Sequence, residues 1–190
     1  MTASQMTGPS SGGRCSLATL VLAAAVFAPA IAACAQGLPD EADKAWQENA
    51  LELPQAPLPA NLLPFHVSPT ATQSFALDAT SISVGKDGVV RYTLVSVSKG
   101  GARNVSYEGM RCDLRLKRSY AFGRSDGTWS AARREAWDPL GGNAPNNPHP
   151  VLFNDFLCKD KKPAGSASQI ADLVRRHGGI GMRGISDFTD

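Results

Sequence analysis

The chain has few of the residues that usually declare an activity. It carries three histidines, His66, His149 and His177, and no two stand at the spacing that metal ligands on one helix or loop require. Gly-x-Ser-x-Gly spacing occurs at 8–12 and at 123–127, but the first precedes the long apolar run and the second is a Ser-Asp-Gly turn leading to Trp129 with no helix after it, so a strand-turn-helix serine nucleophile is not written in the sequence. The paired glycines at 100 and 101 are not followed by Gly-Lys-Ser/Thr, and β-like sequence flanks them on both sides. They read as a hairpin turn and not as a phosphate cradle. The formal net charge is only +2, which gives no case for a nucleic-acid partner. There is no internal repeat. Of 190 residues 43% are hydrophobic, an ordinary share that suffices for one modest core.

One long apolar run is present, SLATLVLAAAVFAPAIAA at 16–33, and Arg14 is the only charged side chain before Asp40. A positive residue, an apolar stretch and small residues after it form an export signal over 1–33, with Met6 as an alternative start. The rival is a membrane anchor, but the run is short and no basic stop-transfer cluster follows it. Ile31-Ala32-Ala33-Cys34 resembles a bacterial lipobox, in which the cysteine takes a lipid and becomes the new N-terminus. By the same resemblance, Ala35 directs the chain to the periplasmic side of the outer membrane. The alternative is ordinary cleavage after Ala35, leaving a soluble periplasmic protein. Cys15 leaves with the signal and Cys34 is acylated or removed, so Cys112 and Cys158 remain. Two cysteines left in an oxidising compartment are expected to pair.

Residues 34–72 are proline-rich and read as an extended tether, with a short helix at 40–49 capped by Asp40. From 73 the pattern becomes period two. FALD at 75–78, SISVG at 81–85, VVRYTLVSVS at 89–98, NVSYEGMRC at 104–112 and LKRSYAFG at 116–123 are separated by Gly and Asp-Gly turns. Apolar residues then recur at helical spacing over 149–160 and 166–179, the second opened by Ser166 or Ser168 and closed by Gly178 and Gly179. The expected fold is α+β: a small antiparallel β-meander followed by two C-terminal helices, with one disulfide. The domain is expected over 73–178, with a loose tail at 179–190.

Several stretches together carry a family resemblance. They are Ala45-Trp46-Gln47-Glu48, Leu63-Pro64-Phe65, the run SVGKDGVVRY at 83–92, GGARNVSYEG at 100–109, Arg111-Cys112, GRSDGTW at 123–129, and Phe156 to Cys158. Over about 41–160 the chain resembles the cryptic neisserial protein-like family, a group of bacterial envelope proteins. The resemblance implies an envelope location and supplies no activity, cofactor or catalytic residue.

The remaining enrichment is basic. Arg111, Arg115, Lys117, Arg118, Arg124, Arg133 and Arg134 are interleaved with Tyr107, Tyr120, Trp129 and Trp137. Guanidinium groups beside aromatic rings grip anionic sugars, lipid headgroups or acidic protein surfaces, while a solvated sheet face is the plainer reading. Arg103, Tyr107, Arg111, Arg124 and Trp129 are the candidate binding residues. The expectation is a non-enzymatic envelope protein that uses no cofactor or metal. It meets the membrane through an N-terminal lipid and binds an envelope protein or an anionic envelope component, not nucleic acid. The alternative is a small envelope hydrolase with His66 or His149 as base and a serine such as Ser106 as nucleophile.

Overall fold

The computed structural model divides the chain into two units, Met1–Asp43 and Lys44–Asp190. It describes residues 46–179 and Phe188, all within the second unit. The export signal, Cys34 and most of the 179–190 tail lie outside the described residues.

The chain builds an eight-stranded antiparallel sheet and then a helical layer. The strands are β1 (Leu62–Phe65), β2 (Gln73–Asp78), β3 (Ser83–Val84), β4 (Val89–Ser98), β5 (Arg103–Arg111), β6 (Leu116–Gly123), β7 (Trp129–Ala131) and β8 (Asp138–Pro139). Their order is β1-β2-β4-β5-β6-β7. β3 pairs with the start of β4, whose later part pairs with β2, and β8 pairs with the start of β6. The glycine turns fall where the sequence expects them. Gly88, Gly101 and Gly127 sit at φ 76°, 81° and 81°, the left-handed region that a side chain would strain. The fold is the expected α+β meander, with one correction at its start. The strands begin at Leu62, inside the stretch read as tether. Leu63 and Phe65 face Leu77 and Phe75 across β2, and Pro64 is tolerated because β1 is an edge strand.

Alternation along β4 sends Val90, Tyr92 and Leu94 to one face and Arg91, Thr93 and Val95 to the other. The first face joins Phe65, Phe75, Leu77 and Met110 under the helical layer. That layer starts with α1 (His149–Val151), whose chain continues as a π-helical turn over Leu152–Leu157. The helix expected over 149–160 therefore ends sooner. Cys158 is already extended, and 158–159 (β9) pairs with Lys162–Pro163 (β10). Leu152 and Leu157 are fully buried, a contribution of about 1.5–3 kcal/mol for each side chain of this size. The second helix, α2 (Ala167–His177), is opened by a capping box. Ser166 Oγ accepts from Gln169 N, and the Gln169 side chain accepts from Ser166 N. Ile170, Ala171 and Val174 form its buried stripe. Gly178 ends it at an ordinary helical φ of −61°. Glycine is needed there for closeness, since a Cβ would strike the Pro64 carbonyl, and the Gly178 carbonyl accepts from His66 N at 2.9 Å. Cys112, just past β5, and Cys158 form the expected disulfide, their Cα atoms 5.5 Å apart, and so pin the helical layer to the sheet.

Candidate functional site

The other face of the sheet is also covered, by the proline-rich segment. Over the described part of the expected 40–49 helix, residues 46–49, the chain is not helical. Onward from Trp46 it runs as a strap without regular structure to Leu58, where the 3₁₀ turn Pro59–Asn61 leads into β1. Prolines at 54, 57 and 59 withhold backbone donors, which suits a chain held by side chains and not by a ladder.

The holding groups are polar and buried. Arg91 lies beneath the strap with its side chain 6% exposed, paired to Asp87 at 2.6 Å and to Glu48 at 3.4 Å. The Glu48 carboxylate also accepts from Arg118 at 2.8 Å and from the Tyr120 hydroxyl. Asp87, read from the sequence only as a turn residue, binds the strap twice. Its carboxylate accepts from Asn49 N and its carbonyl from Trp46 Nε1, both at 2.8 Å. Burial alone would raise the Asp87 carboxyl, but the Arg91 bond and the Asn49 and Val89 amides outweigh it and hold the group below its usual range. Burial, then the Glu48 contact, pushes the Tyr120 hydroxyl well up, so it stays a donor. Trp46 caps the latch, with the Arg111 guanidinium 3.8 Å from its ring centroid and Trp137 edge-on at 6.1 Å. Two stretches that carry the family resemblance, Trp46–Glu48 and Asp87–Arg91, thus meet in space.

Beyond the latch the strap borders a groove of about 400 Å³. Ala56 and Pro57 form one wall, Val105, Gly123 and Trp129 line it, and Arg103 and Arg124 stand on its rim. Trp129 is fixed by donating its Nε1–H to the Pro54 carbonyl at 2.7 Å and by packing on Tyr107 at 6.1 Å. A Cβ at Gly123 would run into Val105, so the glycine keeps this part of the groove open. Arg103 and Arg124 are exposed, and neither forms a salt bridge among the described residues. The carboxylate nearest in sequence, Asp126, is engaged by Thr128, accepting from its amide at 2.9 Å and its hydroxyl at 2.6 Å.

Of the expected binding set, the structure brings Arg103, Arg124 and Trp129 together. Tyr107 is buried behind Trp129 as support, and Arg111 belongs to the latch, paired also to Asp113 at 2.6 Å. The basic stretch 111–134 is not one patch. Strand alternation and turns disperse it: Arg118 enters the latch, Arg115 lies 4.2 Å from the Phe153 ring centroid, and Arg134 pairs with Asp138 at 2.8 Å.

A second polar cluster lies under the helical layer. Glu108, 5% exposed, accepts from Ser106 at 2.7 Å and from the buried Tyr92 at 3.2 Å, and meets His149 Nε2 at 2.7 Å. Asn147 donates its Nδ2 hydrogens to the carbonyls of Leu140 and Gly142, which turns its Oδ1 toward His149 Nδ1 at 3.0 Å. Both ring nitrogens therefore face acceptors, an arrangement that imidazolium satisfies completely. Burial would raise the Glu108 carboxyl, yet the His149 contact and the Ser106 bond outweigh it and hold it low. The carboxylate stands between serine and histidine, so Ser106 donates to Glu108 and not to the imidazole. A nucleophile-to-base bond needs the other order. The ring of His66 has no hydrogen bond to a serine, aspartate or glutamate among the described residues. No group of three His, Cys, Asp or Glu side chains among the described residues is placed to hold a metal ion.

The model of the CNP1-like family matches residues 41–175. The chain belongs to that family. The match takes in the strap from its first described residue, both polar clusters and the groove. Comparison with curated proteins and with solved structures finds no match for this CNP1-like chain.

Proposed function

We propose that this CNP1-like chain is an exported cell-envelope protein, anchored by a lipid on Cys34, whose domain binds an acidic group of an envelope component without transforming it. The narrower likeness to cryptic neisserial protein-like envelope proteins belongs to this reading. The observation that carries it is the groove. Two guanidinium groups without carboxylate partners among the described residues flank an apolar lining with a fixed tryptophan, which suits a carboxylate or phosphate attached to a less polar body. A binding role over hydrolysis is supported by the second cluster, where the His149 nitrogens and the Ser106 hydroxyl are engaged internally. Among the described residues no helix is long and apolar enough to cross a membrane.

The test is fluorescence anisotropy of the full chain with labelled oligoglutamate and, separately, labelled oligophosphate. Arg103→Ala with Arg124→Ala is expected to weaken binding tenfold or more, because each charge-assisted contact contributes about 1.5–3 kcal/mol. Binding that the double substitution leaves unchanged rejects the groove as the site. Intact mass of chain extracted from the membrane fraction tests the anchor, and an unlipidated mature chain rejects it.

A further inference from the structure

The groove and the latch share one segment of chain. The strap is tied down at 46–49 by the latch and again at Pro54, whose carbonyl accepts from Trp129 Nε1 at 2.7 Å. Between these points residues 50–53 are exposed, Leu51 at 42% and Leu53 at 49%, so little packing holds that part. Ala56 and Pro57, which wall the groove, follow directly. The Ala56 methyl sits over the turn between β6 and β7, 3.7 Å from where a Cβ at Gly127 would stand.

We infer that Glu48 is a positioning residue of the groove. The latch it closes holds the wall at Ala56 and Pro57, so latch closure and occupation of the groove by an acidic ligand favour one another. The inference rests on the groove binding acidic groups and adds what keeps that site in shape.

The relative sizes of the interactions support it. A single neutral hydrogen bond, Trp129 to Pro54, contributes less than the entropy lost in ordering two backbone residues. The segment from the latch to Pro57 has no backbone ladder to make up the difference. The latch makes it up, because Glu48 gathers Arg91, Arg118 and Tyr120 in a setting where the Arg91 side chain is 6% exposed. Without Glu48 the strap becomes an arm attached at the Pro59–Asn61 turn and free to leave the indole. Trp129 then loses the acceptor that fixes its ring. The groove loses one wall, while Arg103 on β5 and Arg124 just past β6 keep their places. A ligand seated against the wall binds better when the wall is present, and by linkage it makes the latch harder to open by the same factor.

The sign separates this coupling from plain electrostatics. Glu48→Ala removes a negative charge and leaves Arg91 and Arg118 less neutralised, which on charge alone tightens the hold on an anion. Loss of the wall has the opposite effect.

The experiment uses the full chain, its Glu48→Ala variant and its Arg103→Ala, Arg124→Ala variant, with labelled oligoglutamate and labelled oligophosphate titrated separately. Glu48→Ala is expected to weaken binding about fivefold or more, the low end of usual coupling between sites. Saturating probe is expected to slow exchange of the Asn49 amide by about the same factor in the unmodified chain, and to leave it unchanged when Arg103 and Arg124 are alanine. Cys112→Ser with Cys158→Ser, which loosens the helical layer on the other face, is the control for general destabilisation, and its affinity should stay within about twofold of the unmodified chain. Unchanged or tighter binding in Glu48→Ala overturns the inference. So does Asn49 exchange indifferent to the probe, or a loss in the cysteine variant equal to that in Glu48→Ala. Binding lost in the arginine variant and kept in Glu48→Ala leaves the groove an acidic site and removes only the coupling. Probe binding indifferent to the arginines removes both.

Discussion

Glu48→Ala is the sharpest probe of whether the proline-rich segment is part of the domain. The substitution deletes one carboxylate that serves Arg91, Arg118 and Tyr120. Arg91 retains Asp87, so the charge left under the strap is not wholly unpaired. Among the described residues Arg118 retains one carboxylate, Glu135, whose side chain is 81% exposed and whose contact at 3.3 Å is long. Removing one partner of a buried ion pair costs about 3–5 kcal/mol. With Asp87 still present and the Glu48 side chain 18% accessible, the expected cost is about 2–4 kcal/mol. That energy holds the strap down, so it is read best in local opening. The Asn49 amide donates to Asp87, and its hydrogen exchange reports the latch. A cost of 2 kcal/mol corresponds to exchange roughly 30-fold faster. Glu135→Ala is the control, with an expected effect below about 0.5 kcal/mol for an exposed pair. Asn49 exchange in Glu48→Ala within twofold of the unmodified chain refutes the latch, and absence of protection in the unmodified chain returns the segment to a free tether.

Other expectations follow from the same geometry. Replacing both Cys112 and Cys158 with serine should lower stability by about 4 kcal/mol for a separation of 46 residues, seen as a lower urea midpoint; a midpoint that does not move shows that the bridge constrains nothing. Because the Glu108 carboxyl is held low in the folded chain, its contribution is present above the ordinary carboxylate range, about pH 4, and disappears as pH falls through the lowered value. His149→Gln should therefore flatten the acid side of the stability profile and lower the neutral plateau, and an unchanged slope would contradict the pairing. Gly109→Ala places a methyl group against the Tyr120 ring and hydroxyl, so thermal unfolding should fall by the equivalent of about 1–3 kcal/mol; a neutral result would show that Tyr120 moves aside freely.

Local rules made much of the architecture legible. Period-two alternation at 89–98, positive-φ glycines at the turns and a serine cap on the second helix, for which the sequence offers Ser166 or Ser168, act within a few residues, and the structure has each of them, with Ser166 as the cap. Some local signals misled, among them the prolines of the strap and the basic run. Prolines at 54, 57 and 59 correctly exclude a helix and a sheet ladder, but they do not exclude docking by side chains. The basic run 111–134 looks continuous only along the chain, since β-structure turns successive side chains to opposite faces. The disulfide is reachable from the sequence because the expectation of export leaves two cysteines to pair, a constraint that needs no geometry.

The sequence by itself determined strands β2 to β6, the glycine turns, the second helix and the cysteine pair, because each depends on backbone preference or on a count. Only the tertiary structure decided which side chains meet. Glu48 and Arg118 are 70 positions apart, Glu108 and His149 are 41, and Trp129 reaches back 75 to Pro54. Such contacts arise where the strap closes on one face of the sheet and the helical layer on the other, and no local pattern encodes a partner at that distance. Burial then gives them their strength, by removing the water that would otherwise compete for every one of those charges.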